Sequence, residues 1–225
     1  NLLGGEPLLL SAFAPTWVSR DRVAGSKAAI ASGCDIIILD DGLQNGSLHK
    51  DISIIVVDAK VGFGNGKIFP AGPLRESFAN AFNRANLMIL IGKNKDKKNF
   101  YKLNETLDLP VCNAHVETIK MGINWQDTKV FAFAGIGYPD KFFDSLRELG
   151  AIVVKEVALT DHAKLTKKLM QRLTAEAQKQ NAVLVTTEKD AVRLPNEYRK
   201  EVLTVPIRLI IDDWEIIENQ LNKFI

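Results

Sequence analysis

A run of four branched apolar residues, 36–39, leads directly into the two carboxylates Asp40 and Asp41. A short continuous apolar run of this kind predicts a strand over residues 35–39 that is buried on both faces, as strands of a parallel sheet are. Open α/β sheets bind ligands beyond the carboxyl ends of their strands, where a carboxylate can hold Mg²⁺ on nucleotide phosphates. The alternative is that an aspartate only caps the following turn, because Asp-Gly is a strong turn signal. Two adjacent aspartates repel each other, which a cap alone does not require.

Apolar runs alternate with helical stretches along the rest of the chain, and this predicts an α/β fold with a mostly parallel sheet. The helical and apolar patterns predict helices over 22–32, 77–85, 141–149 and 161–180, and strands over 52–57, 87–91, 130–133, 152–156, 182–186 and 203–209. The pattern breaks near residues 116–128, so we expect two domains, 1–125 and 126–225.

Composition narrows the possible partners. The 225 residues are 46% hydrophobic and 25% charged, which is typical of a globular protein. A net charge of +2 is too small to indicate a nucleic-acid partner. The chain contains no apolar run of about 18 residues, so we expect no transmembrane segment in it. Cys34 and Cys112 lie far apart, without metal-ligand spacing, and are interpreted as reduced thiols of a cytosolic protein.

A second motif occupies residues 64–76, where three glycines and two prolines predict a rigid, tightly turning loop. Arg75 near its end suits a phosphate, because a guanidinium offers paired hydrogen bonds and a fixed charge. The alternative is a structural loop in which Arg75 pairs with Glu76 or Asp58. Gln44, on the loop after the aspartate pair, could orient a phosphate or a water molecule.

Two further motifs follow predicted strands. Asp161 is a natural N-cap for the helix predicted over 161–180, and His162 beside it has general acid–base capacity. His49 and His115 are expected to be structural. Residues 186–194 carry threonines, a lysine and an arginine that either approach a phosphate or form a salt-bridged cap.

Together these motifs resemble the tetraacyldisaccharide 4′-kinase family, lipid A pathway enzymes that phosphorylate a disaccharide lipid with ATP. The resemblance runs in order over the chain, in residues 40–44, 64–76, 133–139 with 142–143, 161–162 and 186–194. It implies a P-loop NTPase-like core (1–125) whose N-terminal part is missing, and a smaller α/β domain (126–225) that completes the active-site cleft. It also implies a requirement for ATP and Mg²⁺ and a peripheral location on the cytoplasmic face of the inner membrane.

The resemblance assigns roles to particular residues. The metal-handling residues are Asp40 and Asp41, the phosphate-contacting residues Arg75 and Gln44, and the catalytic residues Glu6, Asp161 and His162. The reaction is transfer of the ATP γ-phosphate to the 4′-hydroxyl of a tetraacyldisaccharide 1-phosphate, which gives lipid IVA.

The chain also departs from the family. The Gly-rich phosphate loop is expected upstream of residue 1, and Gly5 replaces a carboxylate thought to act with the histidine. A glycine cannot accept a proton, so we expect this chain alone to have little or no kinase activity. The alternatives are a non-catalytic relic or binding fragment of the kinase, or an unrelated nucleotide-binding α/β protein.

Overall fold

A computed structural model describes residues 5–104, 107–119, 121–161 and 163–224. The chain divides into two compact units. Unit 1 comprises Asn1–Val18 and Thr118–Arg208, and unit 2 comprises Ser19–Glu117 and Leu209–Ile225. The domains expected from the sequence are continuous, whereas both units combine distant segments. Sequence patterns do not reveal this division because it depends on tertiary contacts, such as those between the first helix and a short helix near residue 190.

Strands and helices alternate along most of the chain, as the sequence predicts, but the strand predicted over 203–209 is divided into two strands of different sheets. The strands are β1 (Ile54–Asp58), β2 (Leu87–Ile91), β3 (Val111–Thr118), β4 (Lys129–Ala134), β5 (Ile152–Ala158), β6 (Val183–Thr187), β7 (Leu203–Val205) and β8 (Ile207–Ile211). The helices are α1 (Gly5–Leu10), α2 (Arg22–Ala31), α3 (Phe78–Phe82), α4 (Asn94–Leu103), α5 (Pro139–Glu148), α6 (Lys167–Lys179), α7 (Glu188–Ala191) and α8 (Glu215–Leu221).

The sheet of unit 1 has the strand order β5-β4-β6-β7, with all neighbours parallel. Its central strand β4 is buried on both faces because alternate residues pack into two cores. Val130, Ala132 and Ala134 join one core with side chains of α5, and Phe131 and Phe133 join another with side chains of α6. A strand covered on both faces is the arrangement that a continuous apolar run predicts.

The helix predicted over residues 161–180 begins later than expected. Thr166 caps α6, because its Oγ1 accepts a hydrogen bond from the Leu169 amide at 3.2 Å. Asp161 therefore lies in the loop that follows β5 and is not the N-cap. The prediction was wrong because both residues are good caps, and residue type alone does not select between them. His162 lies outside the described residues.

The sheet of unit 2 has the order β1-β2-β3-β8, and β1, β2 and β3 are parallel. Leu87, Met88 and Leu90 of β2 are fully buried. Met88 and Leu90 pack with β1 and α4, while Leu87 packs with β3 and α8. The helices in the described part of the chain all fall short of the length and apolar character needed to cross a membrane.

The strand predicted over residues 35–39 is absent from the described structure. These residues have no regular secondary structure, and the exposed fractions are 70% for Ile36 and 91% for Ile38. The interpretation as a buried strand was therefore wrong. A strand needs a hydrogen-bonded neighbour, which composition does not supply, and in the described sheet β1 is an edge strand whose one partner is β2. Asp40 and Asp41 follow a largely exposed segment without regular secondary structure instead.

Candidate functional site

Charged and polar residues of unit 1 gather beyond the carboxyl ends of its parallel strands. Gly135 follows β4, Asp161 follows β5, and α7 follows β6 without a gap. Parallel strands place these ends at one edge of the sheet, where open α/β sheets bind their ligands. We describe this group of residues, with Glu6 of α1, as the unit 1 cluster.

Lys189 joins two of the residues that the sequence predicts to be catalytic. Its Nζ lies 2.7 Å from Glu6 Oε1 and 3.9 Å from Asp161 Oδ1. The lysine is mostly buried, whereas both carboxylates are about half exposed. The sequence analysis did not identify this link, because Glu6 and Lys189 are 183 positions apart. The signal available in the sequence was the position of Lys189 just beyond a strand.

The capping interpretation of residues 186–194 describes Asp190 well. Asp190 is fully buried and accepts hydrogen bonds from the Gly135 amide (3.0 Å) and the Thr187 hydroxyl (2.8 Å). It also forms a short ion pair with Arg193. The residues of this motif thus divide into Lys189, which reaches the acidic residues, and a buried pair that holds the loops together.

A second group, the unit 2 cluster, joins the aspartate motif to the Gly-rich loop. Arg75 Nη1 lies 2.6 Å from Asp41 Oδ2, and the Gln44 amide donates to Glu76 Oε1 at 2.9 Å. The expected alternatives, pairing of Arg75 with Glu76 or Asp58, are therefore wrong, because the chain folds so that Asp41 is the partner. The hydrogen bond and charge of Asp41 raise the pKa of Arg75.

The loop over residues 64–76 holds its own shape. Asn65 Nδ2 donates to the Ala71 carbonyl at 2.8 Å, and Asn65 Oδ1 accepts from the Lys67 amide at 3.1 Å. A Cβ at Gly72 would overlap Asn65 Oδ1 and the Lys67 carbonyl, so the backbone approach requires glycine. This closed loop supports Arg75 at its end.

The donor set of the unit 2 cluster fits a magnesium ion that also binds phosphate oxygens. Asp40 and Asp41 are adjacent and exposed, and carboxylate oxygens are hard donors that suit Mg²⁺. Within the described ranges, no three side chains of the types His, Cys, Asp and Glu come together to hold a metal ion. Mg²⁺ is usually held by one or two carboxylates plus substrate phosphates and water, so two aspartates suffice for a magnesium–nucleotide complex.

The other two histidines contact nearby carboxylates of unit 2. His115 of β3 places Nδ1 2.7 Å from Asp212 and Nε2 3.1 Å from Glu117. Hydrogen bonds to Glu117 and Asp212 raise the pKa of His115. His49 lies in an exposed loop, 3.5 Å from Asp51. The structural role expected for both histidines stays a prediction.

The fold of this chain matches a solved structure, described as the "apo" form of LpxK from Aquifex aeolicus in complex with ATP. The TM-score is 0.71 at 22% identity, over 98% of this chain and 68% of that one. The fold and the charged strand ends therefore define an α/β protein of the P-loop kinase fold class. The expected fold class is confirmed.

Comparisons of sequence identify the family. The family model described as Tetraacyldisaccharide-1-P 4′-kinase matches residues 1–225. Relatives named tetraacyldisaccharide 4′-kinase include that of Dinoroseobacter shibae, 49% identical over 94% of this chain and 63% of the relative. The corresponding protein of Jannaschia sp. is 47% identical over 98% of this chain and 68% of the relative. The chain belongs to the tetraacyldisaccharide 4′-kinase family, and it spans about two thirds of the length of these curated relatives.

Proposed function

We propose that this chain carries catalytic and phosphate-handling residues of a lipid A 4′-kinase. The reaction is transfer of the γ-phosphate of ATP to the 4′-hydroxyl of a tetraacyldisaccharide 1-phosphate, giving lipid IVA. One observation carries the proposal: Lys189 joins Glu6 and Asp161 beyond the carboxyl ends of β5 and β6. Two acidic residues selected from the sequence thus share one cation, at the edge where α/β sheets bind ligands.

In the proposed reaction, the oxygen of the 4′-hydroxyl forms a bond to the γ-phosphorus. The bond from that phosphorus to the β–γ bridging oxygen breaks, and ADP leaves with its electron pair. His162 accepts the proton of the hydroxyl, and Asp161 orients its imidazole. Lys189 holds the Asp161 carboxylate in place and offsets the negative charge that Glu6 adds. A positioned base of this kind contributes roughly 10²–10⁴-fold to a rate.

The unit 2 cluster handles the phosphates in this proposal. Asp40 and Asp41 would hold Mg²⁺, which neutralises charge on the β- and γ-phosphate oxygens when it is bound. Arg75 offers its guanidinium to the phosphates, and its pairing with Asp41 at 2.6 Å holds the two groups together. Gln44, whose amide donates to Glu76, would donate its second N–H to a phosphate or water oxygen. The lipid substrate implies a peripheral location at the cytoplasmic face of the inner membrane.

A second candidate is a binding fragment that holds nucleotide or lipid but transfers nothing. Gly5 favours this candidate, because the family motif Gly-Asp-Glu-Pro reads here as Gly4-Gly5-Glu6-Pro7. A glycine offers no carboxylate beside Glu6. Both candidates bind nucleotide, but only the kinase transfers phosphate to the lipid.

The test compares the wild-type chain with a Gly5→Asp variant. Binding of Mg²⁺–ATP is measured by calorimetry, and transfer is measured with radiolabelled ATP and the disaccharide lipid in detergent micelles. The kinase proposal expects both chains to bind Mg²⁺–ATP and Gly5→Asp to raise transfer. Binding by both without transfer by either supports the binding fragment.

Two results would contradict the proposal. Failure of both chains to bind Mg²⁺–ATP removes the nucleotide role. Transfer by the wild-type chain at the rate of the Dinoroseobacter shibae relative contradicts the expected defect at Gly5. In the same binding assay, Asp40→Asn and Asp41→Asn test the proposed magnesium ligands and should weaken binding of Mg²⁺–ATP. Asp51→Asn is their matched control, because Asp51 is an exposed aspartate of the same unit.

A further inference from the structure

We propose that Arg193, fixed by the buried Asp190, is a positioning residue for the segment 160–163, which carries Asp161 and His162. The catalytic meaning of the inference rests on the proposed function, whereas the positioning itself does not. The sequence analysis considered Arg193 only as a phosphate contact or a salt-bridged cap, and it gave Asp190 no role. Both lie in unit 1, next to the loops that follow β4 and β5.

The carboxylate of Asp190 has no exposure to solvent, and its hydrogen bonds fix its orientation. Oδ2 accepts from the Gly135 amide at 3.0 Å and from the Thr187 hydroxyl at 2.8 Å, and Oδ1 pairs with Arg193 Nη2. Because these hydrogen bonds fix the carboxylate, its Oδ1 is a fixed acceptor for the guanidinium of Arg193. Asp190 therefore anchors one end of the Arg193 guanidinium, at Nη2.

The remaining donors of Arg193 reach carbonyl groups on different segments. Nη1 donates to the Ala163 carbonyl at 3.3 Å, Nη2 to the Gly135 carbonyl at 3.2 Å, and Nε to the Lys189 carbonyl at 3.2 Å. The side chain is 13% exposed, so these hydrogen bonds face little competition from water. One guanidinium thus connects the end of β4, the loop after β5 and helix α7.

A role restricted to capping α7 does not account for these contacts. Thr187 already caps this helix, with its Oγ1 accepting from the Asp190 amide at 3.2 Å. The hydrogen bonds from Arg193 to the Gly135 and Ala163 carbonyls join segments outside α7 and do not contribute to its capping. A buried ion pair is also weak evidence for a stabilising role, because apolar replacements of such pairs are often neutral or better.

The Ala163 carbonyl belongs to the residue that directly follows His162, and Lys189 contacts the carboxylate of the residue that precedes it. Both neighbours of His162 in the chain are therefore held by side chains from one short segment, 189–193. A misplacement of about 1 Å can cost roughly 10²-fold in rate. Fixing this segment is thus a requirement for a base at position 162.

The experiment measures the three histidine imidazoles by NMR together with amide hydrogen exchange of the full chain. The variants are Arg193→Ala, Arg193→Lys and Asp190→Asn, with Arg172→Ala as the control, because Arg172 lies on the exposed side of α6. His49 and His115 lie in unit 2 and are internal references.

Arg193→Ala should change the imidazole chemical shifts of His162, because the backbone at Ala163 loses its hydrogen bond from the guanidinium. It should also speed exchange of amides 163–165 at least tenfold, with β4 unchanged and the other two histidines unmoved. If Arg193→Ala does not fold, Arg193→Lys is the deciding variant, because it keeps the positive charge. One ammonium cannot reach both the Gly135 and Ala163 carbonyls, so exchange of amides 163–165 should still become faster.

Wild-type exchange at 163–165 together with wild-type imidazole chemical shifts of His162 would overturn the inference. Faster exchange spread evenly over β4 and β6 would also overturn it, because Arg193 would then support the core alone. Faster local exchange without a change at His162 would overturn the positioning role as well. Absence of phosphate transfer in both the wild-type chain and Gly5→Asp contradicts the proposed kinase reaction and leaves these readings intact.

Discussion

At the scale of single residues, Lys189 of α7 forms an ion pair with a helix that packs against its own. Its ammonium contacts Glu6 of α1 at 2.7 Å, and α1 packs against α7. The pair is partly exposed, so its contribution to the unfolding free energy is below about 1 kcal/mol. Its effect should therefore be local and concern the attachment of the first helix.

Lys189→Gln should loosen α1 without unfolding unit 1. We expect exchange of the amides of residues 11–14, which donate to carbonyls of α1, to become several-fold faster, while the melting temperature changes little. Lys168→Gln, at an exposed position of α6, is the control and should leave the exchange of α1 unchanged. Unaltered exchange in Lys189→Gln would show that α1 is held by its other contacts.

Gly72→Ala should destabilise the loop that carries Arg75. The new Cβ would overlap Asn65 Oδ1 and the Lys67 carbonyl, and relief of such overlap costs about 1–3 kcal/mol. Gly46→Ala is the matched control, because a Cβ there meets no atom within 4 Å. Urea unfolding measures both, and the control should stay within about 0.5 kcal/mol of wild type. Equal stability of the two variants would contradict the loop geometry.

At the scale of elements, charged groups join the ends of β3 and β8 to α4. The side chain of Lys97 is 7% exposed and lies 2.8 Å from Asp212, which also contacts His115. The hydrogen bond from Lys97 lowers the pKa of Asp212, and the hydrogen bond to Glu117 and then that to Asp212 raise the pKa of His115. The two shifts define a pH range in which this junction is strongest.

The contribution of His115 to the free energy of unfolding should be fully present below the pKa of about 6.5 that it has in the unfolded chain. It should disappear as the pH rises through the higher folded pKa, because the folded state binds the proton more tightly. The contribution of Asp212 is present above its unfolded pKa of about 3.9 and is lost as the pH falls through its lower folded pKa. Stability from this junction is therefore greatest between these two limits.

His115→Gln tests this dependence by urea unfolding at pH 5.5 and pH 8.5. The destabilisation relative to wild type should be larger at pH 5.5, and it should stay below about 1 kcal/mol because both partners are more than a third exposed. His49→Gln, in an exposed loop, should show no such difference between the two pH values. Equal destabilisation by His115→Gln at both pH values would contradict the proton-linked pairing.

At the scale of the whole molecule, the alternation of apolar runs with helical patterns predicted the fold class. Each strand and helix of such a fold leaves a pattern that can be read within a short stretch of sequence. The apolar run of β4 indicated a doubly covered strand, and it is one. The same reasoning failed at residues 36–39, where the apolar run has no neighbouring strand. Burial depends on partners that a single segment does not encode.

The candidate sites were predictable in part for a similar reason. Asp41 and Arg75 each belong to a local motif, but their 2.6 Å pairing depends on the folded chain. The contact between Lys189 and Glu6 and the hydrogen bond from Arg193 to Ala163 join distant segments. Such contacts leave no periodic signal, so the sequence indicated the residues near the site and not their connections.

The exposed residues 36–38 also affect how the protein behaves at high concentration. Three consecutive isoleucines without a charge or proline among them are typical of segments that add to the open edges of other sheets. Ile38→Lys should therefore raise the protein concentration at which light scattering detects self-association, with stability changed by no more than about 0.5 kcal/mol. Leu103→Lys, at an exposed apolar position that ends a helix, should have a smaller effect. The segment expected to form a buried strand would then be the one that limits the solubility of the chain.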